Sequence, residues 1–217
     1  RYVDAEKLAA SITQEFPKHP FTWKLLAIIF KQNGKISESL VASQKSAQLE
    51  PKDSESHNNL GVMFQELGRL EEAEASYRKA ISLKPNYPEA HYNLGNTVKE
   101  LGRLEEAEAT YRKVITLQPN FTIAHYNLGI TLNELGKFND AEASYKKTIA
   151  LKPDFTQAHY NLGITLNELG KFNDAEASYR KAIALKPNYA EAHSNLGIIL
   201  NELGKFNDAE ASYRKAI

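Results

Sequence analysis

Five histidines, His57, His91, His125, His159 and His193, stand 34 residues apart, and five asparagines, Asn59, Asn93, Asn127, Asn161 and Asn195, follow them at the same step. Several imidazoles raise the question of a metal centre, because the neutral ring nitrogen is a common metal ligand. Carboxamides raise a different one. Each amide carries both a donor and an acceptor, so a row of them can meet the N–H and C=O of an extended peptide without regard to its side chains. A third set, Asn139, Asp140 and Glu142, recurs in three places and suggests calcium, but it lacks the spaced oxygen ligands and central glycine of a calcium loop; solvated helix surface is the better reading. Cysteine is absent, which excludes disulfides, thiolate metal sites and a cysteine nucleophile, and fits a reducing compartment; a cytoplasmic location is the expectation.

The elements that carry these residues are copies of one another. The segment His125 to Tyr145 is repeated letter for letter from His159 to Tyr179, and from His193 to Tyr213 with two changes. A catalytic site is a single constellation of unlike residues, whereas a copied segment denotes a copied structural unit. Pro51, Pro85, Pro119, Pro153 and Pro187 keep the 34-residue step, as do Gly61, Gly95, Gly129, Gly163 and Gly197, and a second glycine series runs from Gly34 to Gly204. The expected organisation is one array over 1–217: a half repeat at 1–19, repeats at 20–53, 54–87, 88–121, 122–155 and 156–189, and a cut repeat at 190–217. Beginning at Arg1 and ending within a unit, the chain reads as a piece of something longer.

Within 122–155, Ala124, Leu128, Leu132 and Leu135 follow helical spacing until Gly136. A second helical stripe, Phe138, Ala141, Tyr145 and Ile149, ends near Leu151 because Pro153 cannot continue it. Ser54, Thr122 and Thr156 are the expected N-caps and Pro88 suits a first helical position, while the second helices start without a capping side chain. The fold class is therefore all-α, built from antiparallel helix pairs. A hairpin of about 34 residues cannot enclose a core, so neighbours must stack, with Gly129 and Ala141 allowing close approach beside Leu128 and Tyr145. Stacking also argues against metal: helix axes lie roughly 8–10 Å apart, and ligands on separate hairpins cannot converge on one ion.

Eight matched sites per unit, such as His57, Leu60, Gly61, Phe64, Ala73, Tyr77, Ala80 and Pro85, then His91, Leu94, Gly95, Val98, Ala107, Tyr111, Val114 and Pro119, resemble the tetratricopeptide repeat. The family's tryptophan is His in five units and survives as Trp23 in the unit 20–53. That unit departs further, with Ala27 for glycine and Ser39, Ser43 and Ser46 for Ala, Tyr and Ala or a similar residue, so looser packing is expected there. The resemblance implies a right-handed superhelical solenoid whose first helices line the concave side.

At 100° per residue, Tyr126, Ile130 and Asn133 form a stripe opposite Leu128, Leu132 and Leu135, with Asn127 at its edge. The copies place Tyr92, Asn93 and Asn96, then Tyr160, Asn161 and Asn167, then Asn195 and Asn201, on the same stripe. An inner asparagine ladder resembles the repeats of O-linked N-acetylglucosamine transferases, where such amides grip an extended peptide, and tyrosines beside it add contact area. The alternative is that each asparagine bonds the neighbouring helix and sets the stacking angle. Substituting Asn127 and Asn161 by Ala separates the two: loss of peptide binding with little change in melting favours recognition. Chaperone C-termini are disfavoured, since Glu55, Glu89, Ile123, Gln157 and Glu191 stand where a carboxylate clamp needs positive charge.

The expected function is protein–protein interaction: an extended peptide or protein partner in the groove, with the array recruiting for a larger protein such as a glycosyltransferase or other modifying enzyme. A free-standing scaffold and an end-to-end self-associating array are the alternatives. No catalytic group, cofactor or metal is expected in this segment. With 27 basic and 27 acidic side chains there is no net field to gather nucleic acid, and Trp23 to Phe30 is far too short to span a membrane.

Overall fold

The computed structural model describes the backbone of residues 2–216 and the side chains of residues 5–216. All regular structure among them is helical, and the chain divides into two compact units, residues 1–117 and 118–217. The first unit holds α1 (Tyr2–Glu15), α2 (Pro20–Gln32), α3 (Ile36–Leu49), α4 (Ser54–Glu66), α5 (Leu70–Leu83), α6 (Pro88–Glu100) and α7 (Leu104–Leu117). The second holds α8 (Thr122–Glu134), α9 (Phe138–Leu151), α10 (Thr156–Glu168), α11 (Phe172–Leu185), α12 (Ala190–Glu202) and α13 (Phe206–Arg214). In each unit a helix packs most extensively on its hairpin partner, as α4 on α5 and α10 on α11, and then on the next hairpin, as α5 on α6 and α9 on α10.

The hairpin α8–α9 explains the pattern. Leu128 and Leu132 are buried, and the helix stops because Gly136 adopts φ +70°, a left-handed conformation costly for any residue with a Cβ. That turn lets Lys137 N donate to Leu132 O at 2.8 Å and Gly136 N to Asn133 O at 2.9 Å, satisfying two carbonyls of the last turn. The chain then reverses into α9, which buries Ala141 and Tyr145 against α8. Gly129 is a point of close approach: a Cβ there would lie 2.7 Å from Tyr145 Cε1, well inside van der Waals contact with the phenol ring. The tyrosine thus packs on the glycine of its own hairpin, and does not serve only to fill space between neighbours. The unit 20–53 has neither partner, carrying Ala27 and Ser43, and its looser packing takes the form of a cavity.

Capping differs from the sequence expectation. Ser54, Thr122 and Thr156 are each the first helical residue, not the cap, because the non-helical residue preceding the helix lies one position earlier. Phe121 and Phe155 occupy that position without a side-chain bond, and Asp53 occupies it with two, accepting from Glu55 N at 3.2 Å and Ser56 N at 3.0 Å. Pro88 is the first residue of α6, and the second helices start at Lys or Arg without a side-chain cap, as expected.

Asp53 is also held by Ser56 Oγ at 2.6 Å and Lys24 Nζ at 2.7 Å. Burial raises its carboxyl, but the hydrogen bonds from Lys24, Ser56 Oγ and Ser56 N outweigh that and hold it at about 2, below the ordinary 3.8. Its stabilisation is therefore complete above the unfolded value and lost as pH falls toward about 2. Asp53→Ala is expected to cost about 0.5–2 kcal/mol at neutral pH. In denaturant titrations at stepped pH, that difference should shrink to nothing as the solution is acidified through the range below pH 3.8.

Candidate functional site

The five histidines and Trp23 do one job. Trp23 Nε1 donates to Pro17 O at 2.9 Å, and the Nε2 of His57, His91, His125, His159 and His193 lies 2.9–3.0 Å from the carbonyl of the proline six residues earlier. A carbonyl only accepts, so Nε2 carries the proton, and each ring ties the start of its hairpin to the preceding loop. Histidine replaces tryptophan here because both present a ring N–H at a similar reach. Burial lowers the pKa of His125, with the Pro119 bond opposing it and Lys147 reinforcing it, so this ring favours the neutral state. Among the described residues no group of three His, Asp or Glu stands close enough together to hold a metal ion.

Acidic side chains behave differently from the solvated surface read from the sequence. Asn139 and Asp140 are exposed, but Glu142 is buried and accepts from Lys146 and from Lys171, both at 2.7 Å. Glu176 likewise accepts from Lys205 at 2.8 Å and forms an ion pair with Arg180 at 2.8 Å. One carboxylate thereby clips a second helix to the turn of the following repeat. The hydrogen bonds from Lys146 and Lys171 hold the Glu142 carboxyl below its ordinary range. Sequence alone shows the i,i+4 partner; the second cation is 29 residues away and becomes a neighbour only through stacking. Glu74 and Arg78 pair as their spacing predicts, and Arg103 joins them at 2.7 Å.

First helices of successive repeats touch one another, α4 with α6, α8 with α10 and α10 with α12, and carry the candidate binding stripe. Asn161 Nδ2 donates to Tyr126 Oη at 3.1 Å, and Asn195 Nδ2 donates to Tyr160 Oη at 3.1 Å. Asn161 and Asn195 therefore spend their nitrogens on the tyrosine one repeat back, which fixes their orientation. The carbonyl oxygens of these two amides accept no protein hydrogen bond among the described residues. Asn93 Nδ2 instead donates to Asn58 Oδ1 at 3.1 Å, because residue 58 is asparagine where later repeats have tyrosine or serine. Asn59 and Asn127 are half-buried on the same stripe.

The remaining stripe residues divide by role. Tyr126 packs on Phe155 with ring centroids 4.7 Å apart, and Tyr160 on Tyr189 at 4.8 Å, so these rings also wedge against the next loop. Tyr92 is half-buried with its centroid 6.2 Å from that of Tyr111. Asn96 accepts from Tyr111 Oη at 2.7 Å, Asn133 accepts from Thr165 Oγ1 at 3.1 Å, and Asn201 donates to Tyr213 Oη at 3.2 Å. Asn167 is half-buried between them in sequence order. Ile198, on the same stripe, is exposed. The surface is thus an alternation of preset amides, phenols and aliphatic side chains. It offers hydrogen bonding and apolar contact.

Models of the tetratricopeptide repeat match residues 88–121 and 122–155, and, for a second model, 42–75 and 144–177; a TPR repeat model matches 63–102 and 165–204. Their matches run without a gap from 42 to 204. Among solved structures the chain is similar to MamA, at 25% identity with a TM-score of 0.71 over 72% of this chain and 92% of that one. It is also similar to pilF of Pseudomonas aeruginosa, at 23% identity and a TM-score of 0.76 over 89% and 88%. YrrB, described as a TPR protein with an unusual peptide-binding site, superposes with a TM-score of 0.74 at 18% identity over 93% and 100%. No curated protein matches the sequence.

Proposed function

Since this chain belongs to the tetratricopeptide repeat family, we propose that its first-helix stripe binds an extended peptide or protein segment and brings it to a larger assembly. The observation that carries this reading is the preset amide: Asn161 and Asn195 are each oriented by a tyrosine hydroxyl and keep a carbonyl oxygen for another donor. An acceptor repeated in these two successive hairpins suits the N–H groups of an extended backbone. Fixing it beforehand lowers the entropy cost of binding. The interhelical bond and the recognition role are therefore compatible in one residue. A peptide is the first ligand class to test because YrrB, of the same fold, is described as having a peptide-binding site. Recruitment for a modifying enzyme such as a glycosyltransferase is the finer reading, supported by the ladder's resemblance to such repeats; a scaffold uses the same surface.

The experiment is fluorescence polarisation against a library of labelled peptides of unrelated sequence, comparing the wild type with Asn161→Ala/Asn195→Ala. With about 1 kcal/mol per lost hydrogen bond, affinity should fall roughly 30-fold, while stability falls modestly because each amide also bonds a tyrosine. Equal affinity in the two proteins, or a wild type that binds no peptide, sinks the proposal.

A further inference from the structure

In every other complete hairpin a tyrosine ring lies over the helical glycine, as Tyr77 over Gly61 and Tyr179 over Gly163. The hairpin α2–α3 has Ala27 and Ser43 at those places, and the ring is replaced by a cavity of about 130 Å³. We propose that this cavity receives an aromatic ring, of phenyl or phenol size, from a partner. Three observations point there. An engineered apolar cavity of about 150 Å³ holds benzene, so the volume suits one ring. Ser43 is one of the residues lining the cavity, is only 3% exposed, and its Oγ has no hydrogen-bond partner among the described residues, a costly state that a polar ring substituent reaching it relieves. The rim includes Ile28, 43% exposed, and half-buried Asn59, which places the mouth on the first-helix stripe.

The neighbouring hydroxyl shows why Ser43 differs. Ser39 Oγ is committed to Ala27 O at 2.7 Å and lies 2.8 Å from Met63 Sδ. A ring entering from the stripe points its para position inward, so a phenol carries its hydroxyl toward Ser43, reversed relative to the tyrosines of the other hairpins. Met63, the sole methionine, forms a deformable wall and offers a sulfur–aromatic contact. That the ring belongs to a bound peptide rests on the groove reading above; the cavity itself is tested with small probes.

Because there is one methionine, labelling methyl groups with carbon-13 gives a single resonance from Met63, which reports on the cavity. Titration of the chain with p-cresol and with toluene is expected to move this resonance upfield to saturation, with p-cresol binding more tightly. Ala27→Gly/Ser43→Tyr, which restores the ring of the other hairpins, should abolish the shift; Val62→Trp, which plugs the rim, should do the same and carries the comparison if the double variant melts early. No saturable shift in the wild type, or an unchanged shift in the folded variants, overturns the inference. Toluene binding as tightly as p-cresol overturns the role given to Ser43. None of these results depends on Asn161 or Asn195, the residues changed in the ladder assay, so failure of the ladder assay and failure of the cavity are distinguishable.

Discussion

Tyr145→Ala is expected to lower the stability of the second unit by about 3–5 kcal/mol, the range for removing a buried aromatic side chain. Tyr145 is 1% exposed, and its ring fills the space that a side chain at Gly129 would otherwise take. Gly129→Ala should also destabilise. Helix propensity gains about 1 kcal/mol, but the new Cβ starts 2.7 Å from Tyr145 Cε1 and overpacking costs about 1–3 kcal/mol. The pair Gly129→Ala/Tyr145→Ser copies what Ala27 and Ser43 do naturally, so it should be less damaging than the sum of its parts, by about 0.5–3 kcal/mol. Urea midpoints for the wild type, Gly129→Ala, Tyr145→Ser and the pair measure this coupling. Strict additivity contradicts the direct glycine–ring contact.

A second large effect separates two leucines that hydropathy treats alike. Leu132 has 0% exposure and Leu135 is half-buried at the C-cap of α8. Leu132→Ala should cost about 2–5 kcal/mol and Leu135→Ala under about 1 kcal/mol, read from the same urea midpoints. Similar losses at both positions contradict the end of α8 at Glu134.

Most of the architecture is legible in the chain because a 34-residue period leaves little freedom: apolar residues at helical spacing, a glycine with φ +70° at Gly136 and a proline after Leu151 set each hairpin locally. Caps were harder to read. Ser54, Thr122 and Thr156 have the right chemistry, but the cap position depends on where the preceding loop turns from extended to helical, and this put Asp53, Phe121 and Phe155 there. Glu142 departs from the expected solvated surface for a related reason. Its neighbours in sequence are exposed, and only the arrival of Lys171 from the next repeat makes it a buried bridge.

Composition and spacing by themselves determined the helix pairs, their length, the turn glycines and which residues share a face, since these follow from backbone sterics and a 3.6-residue period within about a dozen positions. Tertiary structure alone decided which atoms of those shared faces remain available. Asn161 reads identically whether its amide is free or bonded, and the bond to Tyr126 spans 35 residues. The space left by Ala27 and Ser43 is likewise set by how α2, α3 and α4 close around it, because packing is a property of contacts distant in the chain, which no local pattern encodes.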